Sequence, residues 1–104
     1  MAQSAEPWDQ DPTQTVYRPA AHIRWSVEQR GLMLIDQKAG RSWELTYPEA
    51  ALWDFLSRRY PVARMIHLLG YIADLDPKKA HALLQDTLTH WLQCGYLILR
   101  GQHD

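Results

Sequence analysis

The sequence predicts an α+β domain in which a three-stranded antiparallel meander is followed by a bundle of three helices. Three observations predict it. Between residues 22 and 46 apolar residues recur at every second position, the period of a strand. Between residues 48 and 94 they recur at three-and-four spacing, the period of a helix face. Glycines and prolines fall between the periodic segments: Gly31, Gly40, Pro48, Pro61, Pro77 and Gly95.

The first strand is read from Ile23, Trp25 and Val27, which alternate with Arg24, Ser26 and Glu28. Gly31 is expected to supply the turn. Leu32, Met33, Leu34 and Ile35 are apolar on both faces, which suits a central strand covered on one side by helices. Turn residues 36–40 close it. Residues 41–46 form a third strand, with Trp43 and Leu45 on one face and Ser42 and Glu44 on the other. If consecutive strands pair, the third has one neighbour, and its far edge offers unpaired N–H and C=O groups.

Thr46 or Tyr47 is expected to cap a first helix that Pro48 opens and Glu49 suits electrostatically, running to about Ser57. Its stripe is Ala51, Leu52, Phe55 and Leu56, with Trp53 beside it. Arg58, Arg59, Tyr60 and Pro61 interrupt the pattern. A second helix follows from Val62 to about Ala73, carrying Met65, Ile66, Leu69 and Ile72. Asp76 is a good N-cap and Pro77 a good first residue for the third helix. Ala80, Leu84, Leu88, Trp91 and Leu92 give that helix a buried stripe to about Cys94, and Gly95 ends it as a left-handed cap. Residues 96–99 are expected to pack back on the core or pair briefly with the sheet.

These elements define one domain over residues 20–100, between a flexible tail at 1–19 and a short one at 101–104. Pro7, Pro12 and Pro19 argue against regular pairing in the first tail, whose Trp8 and Tyr17 are either stray aromatics or pins onto a groove or another subunit. At 104 residues there is room for one core, and five Trp with five Tyr supply its large apolar faces. Eleven basic against twelve acidic residues leave a formal charge of −1, so no global field favours a phosphate backbone or an anionic membrane. The single Cys94 excludes an intrachain disulfide and fits a reducing cytoplasm. No segment has the apolar length of a membrane span or the pattern of a signal peptide.

Chemistry-bearing clusters are sparse. His90 and Cys94 lie four apart on one helix face, but two ligands are too few for a native metal site, and His22, His67, His81 and His103 lack partners at ligand spacing. Cys94 sits at a helix C-terminus, where the dipole disfavours a thiolate. Ser42, Ser57 and Thr46 lack a glycine elbow, and no phosphate-cradling glycine loop is present. Asp74 and Asp76 read as turn and cap residues. No cofactor and no enzymatic activity are expected.

The meander and the segments GRSWELTYPEAALWDFL (residues 40–56) and DPKKAHALLQDTLTHWLQCGYLI (residues 76–98) resemble the PqqD-like family, the RiPP recognition elements, over roughly residues 22–99. In that family a strand ending in Leu leads into a helix with an apolar Trp or Leu pair, and a long last helix ends in Gly plus aliphatics. Leu45, Trp53, Leu84, Leu88, Leu92 and Gly95 occupy such positions. The chain departs from the pattern after the first helix, where many members carry an Asp-Gly turn.

The resemblance implies a non-catalytic peptide chaperone. A precursor's leader peptide would add a strand to the open edge formed by Arg41, Ser42, Trp43, Glu44 and Leu45, and lie against Leu83, Asp86, Thr87 and His90 of the last helix. A partner enzyme, often a radical S-adenosylmethionine enzyme in this family, would do the chemistry, and pyrroloquinoline quinone biosynthesis is one such pathway. Two other readings stay open. The helix order also looks like a winged helix-turn-helix, with Lys78 and Lys79 starting the helix that would enter a DNA groove. A structural subunit forming a homodimer through its aromatic tail or strand edge is the third.

Overall fold

In the computed structural model the described residues are 17–99, so the expectations for Trp8, His103 and the two chain ends lie outside them. The elements in chain order are β1 (Tyr17–Pro19), β2 (Ile23–Glu28), β3 (Gly31–Asp36), β4 (Arg41–Thr46), α1 (Glu49–Ser57), α2 (Val62–Ala73), α3 (Pro77–Gln93) and β5 (Leu97–Leu99). β2, β3 and β4 pair consecutively and antiparallel, so the meander followed by three helices is the fold observed. The register puts Trp25, Leu34 and Trp43 in one row, and Val27, Leu32 and Leu45 in the next, on the face that α1 covers.

The two hairpins use different turns. Asp36 pairs with Arg41 across a loop of four residues closed by Gly40 at φ +70°. The β2–β3 turn is made by Gln29 and Arg30, and not by Gly31, which is the first residue of β3. Gly31 has another reason to be glycine: a Cβ there would overlap the Leu45 carbonyl oxygen of β4. It is a close-approach residue between strands.

β2 is less buried than its alternation suggested. Ile23 is buried, but Trp25 is 38% exposed and Val27 80% exposed. The reason is lateral: α1 packs over β3 and β4, and the far end of the outer strand β2 projects past it. Ile72 is likewise half exposed although it lies on the apolar stripe of α2.

The expected beginning of α1 shifts by one residue. Pro48 is itself the N-cap, with no side-chain bond to the first amides, because Thr46 is still engaged with Gly31 in the sheet. Trp53, expected at the side of the α1 stripe, is at its centre with no exposed surface. Its ring meets Trp25 edge-on at 5.8 Å and Trp91 edge-on at 5.1 Å, joining sheet, α1 and α3. α3 begins as read: the Asp76 carboxylate accepts the Lys79 amide at 2.8 Å, with Pro77 in the first turn.

Residues 96–99 pair, but not with the meander. Leu97–Leu99 forms β5 against β1, a strand drawn from what was expected to be tail. Pro19 is tolerated because this is a three-residue edge pair, where a missing N–H need not break a ladder. The Ala20 amide continues the connection by donating to the Tyr96 carbonyl at 2.9 Å.

α1 and α3 end in the same way. In each, the amide two residues past the cap reaches back five residues along the chain, Tyr60 to the Phe55 carbonyl at 3.2 Å and Tyr96 to the Trp91 carbonyl at 2.9 Å. The Phe55 and Tyr60 rings stack at 5.8 Å, the apolar contact that accompanies this motif. Gly95 occupies the left-handed position of α3 at φ +79°, but Arg59 occupies that of α1 at φ +62°, where a Cβ is crowded. Arg59→Gly is expected to raise the unfolding free energy by about 0.5–1 kcal/mol in a urea titration. Gly31→Ala is expected to lower it by about 1–3 kcal/mol, through the clash with Leu45.

Candidate functional site

An open groove of about 750 Å³ runs between β4 and α3. One wall is β4, whose second edge pairs with no strand among the described residues. The other wall is one face of α3. Leu83, Asp86, Thr87 and His90 follow helical spacing, so their side chains line up along about 10 Å of the helix axis at ~1.5 Å per residue. Arg41 to Leu45 spans about 13 Å at ~3.3 Å per residue, so the two walls match in length.

Of the sequence-predicted site residues, Arg41, Ser42, Trp43, Leu45, Leu83, Asp86, Thr87 and His90 all line this groove. Glu44 does not: its side chain points to the opposite face of the sheet, in register with Met33. Thr87 is buried, and its hydroxyl donates to the Leu83 carbonyl at 2.8 Å, so it offers the groove little polarity. Three lining residues were read from the sequence as something else. Glu49 was read as a dipole residue, Trp91 as core and Tyr96 as part of a tail segment. Trp91 carried a usable signal, four residues after Thr87 on the same helix face.

Aromatic packing joins β4 to the residues that follow α3. The Trp43 and Tyr96 rings lie 4.7 Å apart with a 35° tilt. Burial raises the Tyr96 hydroxyl above the usual phenol range, Cys94 adds to the rise, and the charge of Arg41 opposes it. Arg41 therefore belongs to the same end of the groove as Tyr96.

The β3–β4 hairpin that presents the edge is held by Asp36. The Lys38 and Ala39 amides donate to its Oδ1 at 3.0 Å each, and its carbonyl accepts the Gly40 amide at 2.8 Å. The Ala39 hydrogen bond holds the Asp36 carboxyl below the ordinary aspartate range. Burial opposes this, while the Lys38 amide and the charges of His22 and Arg41 favour it.

The chemistry-bearing pairs do not assemble further. Cys94 Sγ lies 3.8 Å from Nε2 and 4.0 Å from Nδ1 of His90, a soft contact at the exposed end of α3. Among the described residues no group of three or more His, Cys, Asp or Glu could hold a metal ion, and no helix is long and apolar enough to cross a membrane.

No protein-family model and no curated protein sequence matches the chain. Among solved structures, the fold matches lasso peptide synthetase B1 complexed with the leader peptide, with a TM-score of 0.72 and 18% sequence identity over 79% of this chain and 96% of that one. The two chains share a fold at an identity where side chains have largely diverged.

Because the folded pKa of Asp36 is depressed, its contribution to stability is complete above the ordinary aspartate value of about 4 and is lost as pH falls through the folded value. Asp36→Asn, which keeps an acceptor oxygen and removes the charge, is expected to flatten the fall of Tm below about pH 4. An undiminished slope would assign the acid sensitivity to other carboxylates.

Proposed function

We propose that this chain is a non-catalytic peptide chaperone of the RiPP recognition element type. In this reading it captures the leader of a ribosomally made precursor by strand addition to β4, against α3, and presents it to a modifying enzyme. The single observation that carries the reading is the pairing of a strand edge left open among the described residues with an apolar-floored groove of the same length. Backbone hydrogen bonds to the edge supply sequence-tolerant affinity, and the pockets along Trp43, Leu45 and Leu83 supply choice. A fold shared with a protein solved in complex with a leader peptide supports the same reading. Pyrroloquinoline quinone biosynthesis with a radical S-adenosylmethionine partner is one setting for such a chaperone, and lasso-peptide assembly is another. The captured peptide decides between them.

Duplex DNA fits the groove poorly. Beyond Lys78 and Lys79, α3 adds no lysine or arginine, and Asp86 and Glu49 face the space a phosphate would approach.

The test is crosslinked capture from host lysate with the wild type and a Leu83→Arg variant, read by mass spectrometry, with circular dichroism to confirm that both are folded. A precursor peptide should be recovered by the wild type and lost by the variant, whose affinity for that peptide should fall about 10-fold or more, the size expected for an apolar anchor. Equal recovery by both baits would remove the groove from the reading.

A further inference from the structure

Three charged side chains of the groove, Arg41, Glu49 and Asp86, have no ion-pair partner among the described residues. Arg41 feels the Asp36 carboxylate but does not pair with it. Their positions are ordered along the groove. Arg41 begins β4, near Tyr96. Glu49 opens α1 just beyond the other end of β4. Tyr96 fixes the last turn of α3 beside Trp43, so α3 runs back along the groove from that point. Asp86 is therefore about one turn, or ~6 Å, nearer the Glu49 end than His90 is. The wall thus carries a cation at one end and carboxylates at the other, with an apolar floor between them.

An extended peptide lying on β4 covers about 13 Å in four residues, the span from Arg41 to Leu45. With a net charge of −1 the chain exerts little long-range steering, so discrimination by charge falls to these local groups. We propose that the groove reads the charge order of its peptide: an acidic residue at the Arg41 end, a basic residue at the Glu49 and Asp86 end, and an apolar residue between them seated on Trp43 or Leu45. This inference rests on strand addition to β4 and names the class of segment that would be added. A like-charged segment would meet repulsion at one end and a reversed one at both, which is how a backbone-reading site rejects wrong strands.

A displayed library of random 12-residue peptides, selected in parallel against the full chain and its Arg41→Glu variant, tests it. The wild-type pool should be enriched in Asp or Glu at one position and in Lys or Arg four to six positions away, with an apolar residue between. The Arg41→Glu pool should keep the basic position and exchange the acidic one for Lys or Arg. Each matched charge should change the affinity of a recovered peptide by about 2- to 5-fold in a fluorescence titration. Pools with alternating apolar residues and no charge order would overturn the inference and leave strand addition standing. Recovery of no peptide by either protein would remove strand addition and the charge reading together.

Discussion

The arrangement depends on how Trp53 fills the space between the sheet and the last helix. A fully buried indole on α1 meets Trp25 of β2 on one side and Trp91 of α3 on the other, both edge-to-face. Each such ring pair contributes about 0.5–1.5 kcal/mol beyond the area it buries. The position also carries a cost, since the Trp53 Nε1 has no hydrogen-bond partner among the described residues and is shut away from water. Shape decides this site more than polarity does. Because Trp91 belongs both to this core and to the groove, the packing that stabilises the domain also sets the distance between the groove walls.

The second constraint is the C-terminal cap of α3. Gly95 in the left-handed conformation turns the chain so that Tyr96 returns its amide to the Trp91 carbonyl and lays its ring on Trp43. The same turn aims residues 97–99 at β1, closing a second, two-stranded sheet. One backbone conformation thus brings Tyr96 to the groove and ties β5 to β1. An edge strand such as β4 is ordinarily a hazard, because its free amides and carbonyls pair with any strand that approaches. Here it lies beside a face of α3, so that whatever approaches the edge also meets Leu83, Asp86, Thr87 and His90.

Much of this was legible in the residues. Period-two alternation located the meander, three-and-four spacing located the helices, and Asp76, Pro77 and Gly95 marked the limits of α3 by cap chemistry that operates within a few residues. Eight of the nine residues expected at the groove line it: helical spacing puts Leu83, Asp86, Thr87 and His90 on one side of α3, strand alternation puts Arg41, Trp43 and Leu45 on one face of β4, and Ser42 lines the groove from the alternate face. The exception, Glu44, is flanked by Trp43 and Leu45 and points to the opposite face of the sheet, in register with Met33.

By itself, then, the sequence determined the kinds of element, their order, most of their ends and the face each residue occupies, since these are properties of short stretches of backbone. Only the tertiary structure decided that Trp53 is the centre of the core, that Val27 is left in solvent and that Tyr17 to Pro19 is a strand. Tertiary structure also decided that Gly31 serves a close approach and that Glu49 and Tyr96 join Arg41 around one groove. Each of these depends on which distant segment arrives opposite, through packing and pairing between residues far apart in the chain, and no local period encodes that.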